Sequence, residues 1–399
     1  MIELVATHGY EAVTVRGIAK RARISSGTFY KHYSSTDDCL LCTFDLICGR
    51  ASRRLMEVGQ SEPEPERRLA LAVDRLFQDM AAAPQAATFM LRAAPTVGPA
   101  FAGGLGDSAM QLGTALELCI RRDDNPPLHP LLLEGMVAGL GRIGSVVPAA
   151  AGEDEISGAA AEAVEWITSL CAPLSPDAAL ELGAISPERR GGLSVPGRLR
   201  GGEWEGVLGD ERAMILAAAF RIAKSGYHQL SITRICREAG VSRRDFNRHF
   251  ENLDDCFIAA IEERATLAIE AWVFRRNESG GQSSTVVEAL ATLCDAIGAD
   301  RDWARVLSVE ITAAGTRGVD CRDRLISQVA RALRTAAPAA RSPSELAAEA
   351  SAAAAWAIVR RLAQDESLVA TEALPVLALL ALAPVEDKRH TVRNEKHIY

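Results

Sequence analysis

GYEAVTVRGIAKRARISSGTFYKHYSSTDDC, residues 9–39, decides the reading of this chain because it occurs twice. Residues 226–256 read GYHQLSITRICREAGVSRRDFNRHFENLDDC, in the same register at an offset of 217 with no gap. Ten of the 31 positions are identical: Gly9/Gly226, Tyr10/Tyr227, Ile18/Ile235, Ala22/Ala239, Ser25/Ser242, Phe29/Phe246, His32/His249 and the closing Asp-Asp-Cys. Other pairs are conservative, among them Thr14/Ser231, Ile24/Val241 and Tyr33/Phe250. Self-similarity at one long period marks a duplicated unit.

The spacing within each copy has a physical reading. Thr14 and Ser231 stand where a helix should begin, and a hydroxyl there caps the free N–H groups of the first turn. Ile18 and Ala22 then share one helical face, as do Ile235 and Ala239. A short break follows, Arg23-Ile24 or Gly240-Val241. Ser25 and Ser242 next cap a second short helix, whose apolar face is Phe29 with Tyr33 or Phe246 with Phe250. Two short helices joined by a tight turn describe a helix-turn-helix. Gly9 and Gly226 suit the C-terminal stop of a preceding helix. Phe29, Tyr33, Ile18, Ile24 and their counterparts are expected to pack inward.

Charge agrees with this reading. The 399-residue chain carries a net charge of −8, so any contact with DNA must come from a local basic surface. Residues 1–35 hold five Lys/Arg against two Asp/Glu, and residues 218–252 hold seven against three, which leaves −15 on the remainder. Two basic modules on acidic bodies are the electrostatic footprint of DNA-binding heads.

The run Thr14-Val-Arg-x-Ile-Ala, with Ser25-x-Gly-Thr-Phe-Tyr-x-His-Tyr and Asp37-Asp38, resembles the N-terminal signature of TetR-family transcriptional regulators. The second copy resembles it less closely. The resemblance implies an all-α fold of two tandem units, each a three-helix head followed by a helical body for dimerisation and ligand binding. It places the recognition helices at about Ser26–Tyr33 and Arg243–Phe250. It implies phosphate contacts from Thr14 and Arg16, a major-groove face of Ser26, Gly27, Thr28, Lys31 and His32, and a backbone contact from Tyr30. The corresponding set in copy two is Ser231, Arg243, Arg244, Asp245, Asn247, Arg248 and His249. His32 and His249 divide between a backbone contact and a cap or core hydrogen bond. Arg243 and Arg244 are either solvated charges or DNA contacts, since arginine can bind guanine O6/N7 bidentately. Asp245 either accepts from cytosine N4 or pairs with a neighbouring arginine and mutes it.

The departures from the pattern are informative. The family commonly has a lysine before the Asp-Asp pair, where Thr36 and Leu253 stand. Arg23 occupies the turn position that commonly holds glycine; there it costs about 1 kcal/mol if left-handed, or it adds a phosphate contact. Copy two replaces Gly-Thr-Phe-Tyr with Arg-Asp-Phe-Asn. It has Asp210–Ser225 ahead of its glycine, against Met1–His8 in copy one.

The chain divides by these signals into head 1 (1–44), body 1 (45–185), a Gly/Pro/Arg-rich linker (186–209), head 2 (210–261), body 2 (262–385) and a charged tail (386–399). Hydrophobic residues make up 48 %, much of it alanine, which suits buried helical cores. Glu155–Cys171 and Ala347–Ala363, or 369–383, are apolar enough to form a dimer interface. Either the two halves pair within one chain as a pseudo-dimer, or each pairs with another chain as a homodimer. Trp166, Trp303 and Trp356 are expected in cores rather than on a pocket wall.

The nine cysteines are scattered, which argues for reduced thiols in the cytoplasm. Cys39-Leu-Leu-Cys42 lacks the second pair a zinc site needs and reads as core, with a thiol sensor including Cys48 as the residual reading. The stretch 373–385 is too short to span a bilayer, so no membrane association is expected. No nucleophile elbow or phosphate loop appears, and neither an enzyme nor a cofactor or metal site is expected. The expected partners are double-stranded DNA and a small, apolar effector that releases it.

Overall fold

The computed structural model describes residues 1–93, 102–121, 126–147, 151–172, 210–278, 283–336 and 342–385. The linker 186–209 and the tail 386–399 of the sequence reading lie outside these residues. Among the described residues the chain is α-helical with short 3-10 turns and no strand.

The first unit comprises α1 (Ile2–His8), α2 (Val15–Ala22), α3 (Ser26–Phe29), α4 (Thr36–Ser61), α5 (Pro65–Ala82), α6 (Pro84–Thr88), α7 (Ala102–Ile120), α8 (Pro130–Val146) and α9 (Glu153–Cys171). The second comprises α10 (Glu211–Ala223), α11 (Ile232–Ala239), α12 (Arg243–His249), α13 (Leu253–Glu278), α14 (Ser283–Ala299), α15 (Arg301–Ser308), α16 (Gly315–Ala336), α17 (Glu345–Gln364) and α18 (Leu374–Leu382). Each helix of the first unit therefore has a counterpart nine places later. Among the described residues the order of helices thus repeats beyond the 31 residues in which sequence identity is visible.

Local sequence sets the starts of these helices. Pro65, Pro84 and Pro130 each open a helix at a position whose N–H would have no intrahelical partner. Along α5, Leu69, Val73 and Phe77 recur every four residues and are all buried. By contrast α18 is apolar around most of its circumference, with Leu374, Val376, Leu377, Leu380 and Leu382 all buried. Helices α4 and α13 run 26 residues each, past positions 44 and 261, so each head continues into its body without a break.

The two bodies pack against each other through α8, α9, α17 and α18. Helix α8 lies along α17, its counterpart in helix order, in the most extensive helix pairing among the described residues, and α9 also meets α17. Glycine at 139 is required here: a Cβ would collide with the ring of Trp166, which rests against α8. The indole N–H of this buried tryptophan donates to Ser351 Oγ of α17 at 2.9 Å. Two ion pairs then cross the interface in opposite senses: Arg142 of α8 to Glu349 of α17 at 2.8 Å, and Arg360 of α17 to Glu134 of α8 at 3.3 Å. Each helix contributes one acid and one arginine to the pairing of the two bodies. Removing one partner of such a buried pair would leave an uncompensated charge inside the interface.

Candidate nucleic-acid interface

Each head is built from side chains that close helix ends on themselves. The Thr14 hydroxyl accepts from Gly17 N–H at 3.1 Å, and Ser231 accepts from Arg234 N–H at 3.2 Å, so both open the first helix of the motif. Ser25 and Ser242 cap the second helix by accepting from Thr28 and Asp245 N–H groups. Ile18 with Phe29, and Ile235 with Phe246, hold the two helices together from inside. Asp38 closes the step into α4 by accepting from the Ser34 N–H at 2.7 Å and from its hydroxyl at 3.0 Å. These two bonds hold the Asp38 carboxyl below the usual carboxylate range. Asp255 closes the equivalent step in head 2, accepting from the Glu251 N–H at 3.1 Å.

Two turn positions differ in a way that matters. Gly240 is left-handed, with φ 70° and ψ 25°, and so is Arg23, with φ 57° and ψ 40°. A side chain costs about 1 kcal/mol in that conformation, and Arg23 bears this strain where head 2 has none. Ile24, read from the sequence as a packing residue, is instead 40 % exposed. It follows the left-handed residue, and the turn carries it away from the core.

In head 1 most of the positions singled out by sequence are accessible. Thr14, Arg16, Ser26, Gly27, Tyr30, Lys31 and His32 are exposed and Thr28 is half-buried. The Tyr30 ring rests edge-on against Phe29, with centroids 5.5 Å apart, and is itself 59 % exposed. Among the described residues no carboxylate forms an ion pair with Arg16, Lys20, Arg23 or Lys31, whereas Arg21 is paired to Glu3. This face presents several unpaired cations around a short helix.

Head 2 differs. Ser231, Arg243, Arg244, Asn247 and Arg248 are exposed, and neither Arg243 nor Arg244 is held in an ion pair among the described residues. Arg248, however, is bound to Glu211 at 3.0 Å and to Asp245 at 2.8 Å. Asp245 also completes a capping box with Ser242, whose hydrogen bonds hold its carboxyl below the usual range. Of the two sequence readings for Asp245, the geometry favours the neighbour that mutes an arginine. His249 is half-buried with Nε2 3.6 Å from Glu211, while its counterpart His32 faces solvent.

The cysteines of the C-x-x-C spacing do not form a reactive pair. Cys39 is buried; Cys42 is exposed, and its thiol is raised by partial burial and by the charge of Asp38. Burial pushes Cys48 up to about 12. No described helix is long and apolar enough to cross a membrane. Among the described residues no group of three His, Cys, Asp or Glu side chains could hold a metal ion.

The structure also shows what sequence spacing does not. A cavity of about 700 Å³ lies among α4, α5, α7 and α8 of the first unit and α16 and α17 of the second. Trp356, expected in a core, stands on its wall. It sits on α17 one turn before Arg360, half-buried and packed on one side against the apolar clusters. Trp166 and Trp303 are buried as expected.

The family model for "Bacterial regulatory proteins, tetR family" matches this chain twice, at residues 2–41 and 215–260. No curated protein matches. Among solved structures, one similar chain is described as the fatty acid degradation regulator FadR from Bacillus halodurans. It shares 17 % identity over 45 % of this chain and 98 % of its own length, with a TM-score of 0.38.

Proposed function

From a chain that belongs to the tetR family of bacterial regulators and carries the family's DNA-binding unit twice, we propose a repressor that binds an asymmetric operator as an intramolecular pseudo-dimer. The DNA-binding role follows from the family; the rest is supported by one observation. The bodies pair through counterpart helices, α8 with α17, so one chain already carries two heads on one paired base. In an ordinary dimer of this architecture the heads are identical and the half-sites repeat after about 34–36 Å. Here the recognition helices carry different side chains, so the two half-sites should differ in sequence. A small ligand bound between the units changes the spacing of the heads and releases the DNA.

The site residues divide into positioning and reading groups. Thr14, Arg16 and Tyr30 fit phosphate contacts, and Ser26, Gly27, Thr28, Lys31 and His32 fit the groove. In head 2 the unpaired Arg243 and Arg244 are the readers, with Ser231, Asn247 and His249 beside them. The test is fluorescence anisotropy with the DNA upstream of the coding sequence, across a salt series. Replacing Arg16 and Lys31 with alanine, or Arg243 and Arg244 with alanine, should each weaken binding. The salt slope should fall by about one for every phosphate that is no longer neutralised.

A second reading has its own support. Arg248 is tied down by Asp245 and Glu211, which removes one cation from the reading face of head 2. If the Arg243/Arg244 variant binds DNA as the parent does, head 2 is a structural partner and head 1 alone reads DNA.

A further inference from the structure

The cavity between the units is amphipathic, and its polar part is cationic. Its walls include Ile47, Met80, Met90, Leu112, Val137 and Trp356. Methionine walls of this kind adapt to the shape of an apolar guest. A cavity of about 700 Å³ is within the range that encloses a small organic molecule.

Where α6 runs on through residues 89–93 to meet α8 and α16, three guanidiniums converge on one carboxylate. Arg92 lies 3.3 Å from Asp323, Arg142 lies 3.7 Å away and Arg322 lies 2.7 Å away. All four of these side chains line the cavity. The other acids that balance them stand behind: Asp320 is 45 % exposed and Glu349 sits between α8 and α17, and neither lines the cavity. Arg50 also lines it and has no ion-pair partner among the described residues. Among the described residues six arginines and three acids face the space, with Asp79 taken up by Arg54 and Glu134 by Arg360. Burial disfavours the charged form of Arg322; the Asp323 carboxylate works against this, and the neighbouring charges of Arg360 and Arg142 add to it. An anion placed among them would offset that cost.

We infer that this cavity binds an amphipathic organic anion, its carboxylate or phosphate held by Arg92, Arg142 and Arg322 and its apolar part lying along Met80, Met90 and Leu112. The inference rests on the regulator reading only for its consequence at DNA. That consequence has a direction. Ile2 of α1 and Phe44 and Cys48 of α4 also line the cavity, and Phe44 and Cys48 belong to the small apolar cluster that supports head 1. A guest therefore touches the support of head 1 directly, and no described residue of head 2 lines the space.

The experiment is calorimetry on the full chain with four probes of one length, below micellar concentrations: decanoate, decyl phosphate, decanol and decyltrimethylammonium. Charge-assisted bonds to arginine should make decanoate or decyl phosphate bind about ten-fold or more tighter than decanol, with the cation weakest. Whichever anion is tighter identifies the headgroup. Arg92→Gln, at a half-exposed site, should narrow the gap between anion and alcohol; Arg142→Gln tests the same point if it folds. Equal binding of decanoate, decyl phosphate and decanol, or no binding by either anion, overturns the inference. DNA binding is followed on the same preparation. Selective anion binding by a chain that does not bind DNA supports the cavity assignment and removes the regulator reading. Intact DNA binding without anion selectivity does the reverse.

Discussion

The two heads share a motif but not a foundation. The apolar core of head 2, including Leu216, Phe220, Ile235, Phe246 and Phe250, is continuous with the main core that runs through both bodies. That of head 1 is divided into two small clusters, one around Ile18, Phe29 and Cys39 and one around Val5, Leu40, Phe44 and Phe89. Head 2 is tied down further by buried Glu310, which accepts from the Tyr227 N–H at 2.8 Å and pairs with Arg305 at 2.7 Å. So the head with the closer match to the family motif is the one less firmly held.

The largest effect should come from the paired phenylalanines. Both Phe29 and Phe246 are fully buried, and replacing either with alanine should cost about 3–5 kcal/mol locally. Phe246→Ala should lower global stability in a denaturant titration, because its core is shared. Phe29→Ala should instead raise hydrogen exchange over residues 15–39 while leaving the main transition nearly in place. Equal loss of global stability in both variants would break the comparison.

Next is Glu310→Gln, which leaves Arg305 without its buried partner and should cost about 3 kcal/mol. The loss should appear as faster exchange around Tyr227 and not in head 1. A smaller and opposite effect is expected from Arg23→Gly, which relieves a left-handed residue and should stabilise head 1 by about 1 kcal/mol. The mirror change Gly240→Arg should destabilise head 2 by a similar amount, read by thermal unfolding.

Much of this was legible in the sequence. The capping hydroxyls at Thr14, Ser25, Ser231 and Ser242 announce their helices because the bond they make is local. Gly240 against Arg23 marks the turn for the same reason. The helices of the bodies follow their apolar periodicity and their prolines. What sequence could not place depends on residues far apart in the chain. Arg92, Arg142 and Arg322 meet only because α8 lies along α17, and no spacing rule links them. Trp356 reads as core because an apolar position on a helix looks the same whether it faces a neighbour or a cavity. Ile24 fails by a different route: one left-handed turn reverses the face that periodicity assigns.

The smallest expected effect concerns the reading face of head 2. Asp245→Asn should loosen Arg248, which keeps its pair with Glu211, and strengthen DNA binding by no more than about two-fold at low salt, with the gain fading as salt rises. Because the folded-state carboxyl of Asp245 lies below the ordinary range, its ion pair persists above the unfolded carboxylate range. The pair is lost as pH falls through the depressed value. The parent and the variant should therefore converge in affinity only at acid pH.

The most direct measurement is footprinting of the operator joined to a count of protein chains per DNA molecule, by mass photometry. One chain protecting two half-sites of unlike sequence is the expected result. A perfect palindrome occupied by two chains, each through a single head, would contradict it.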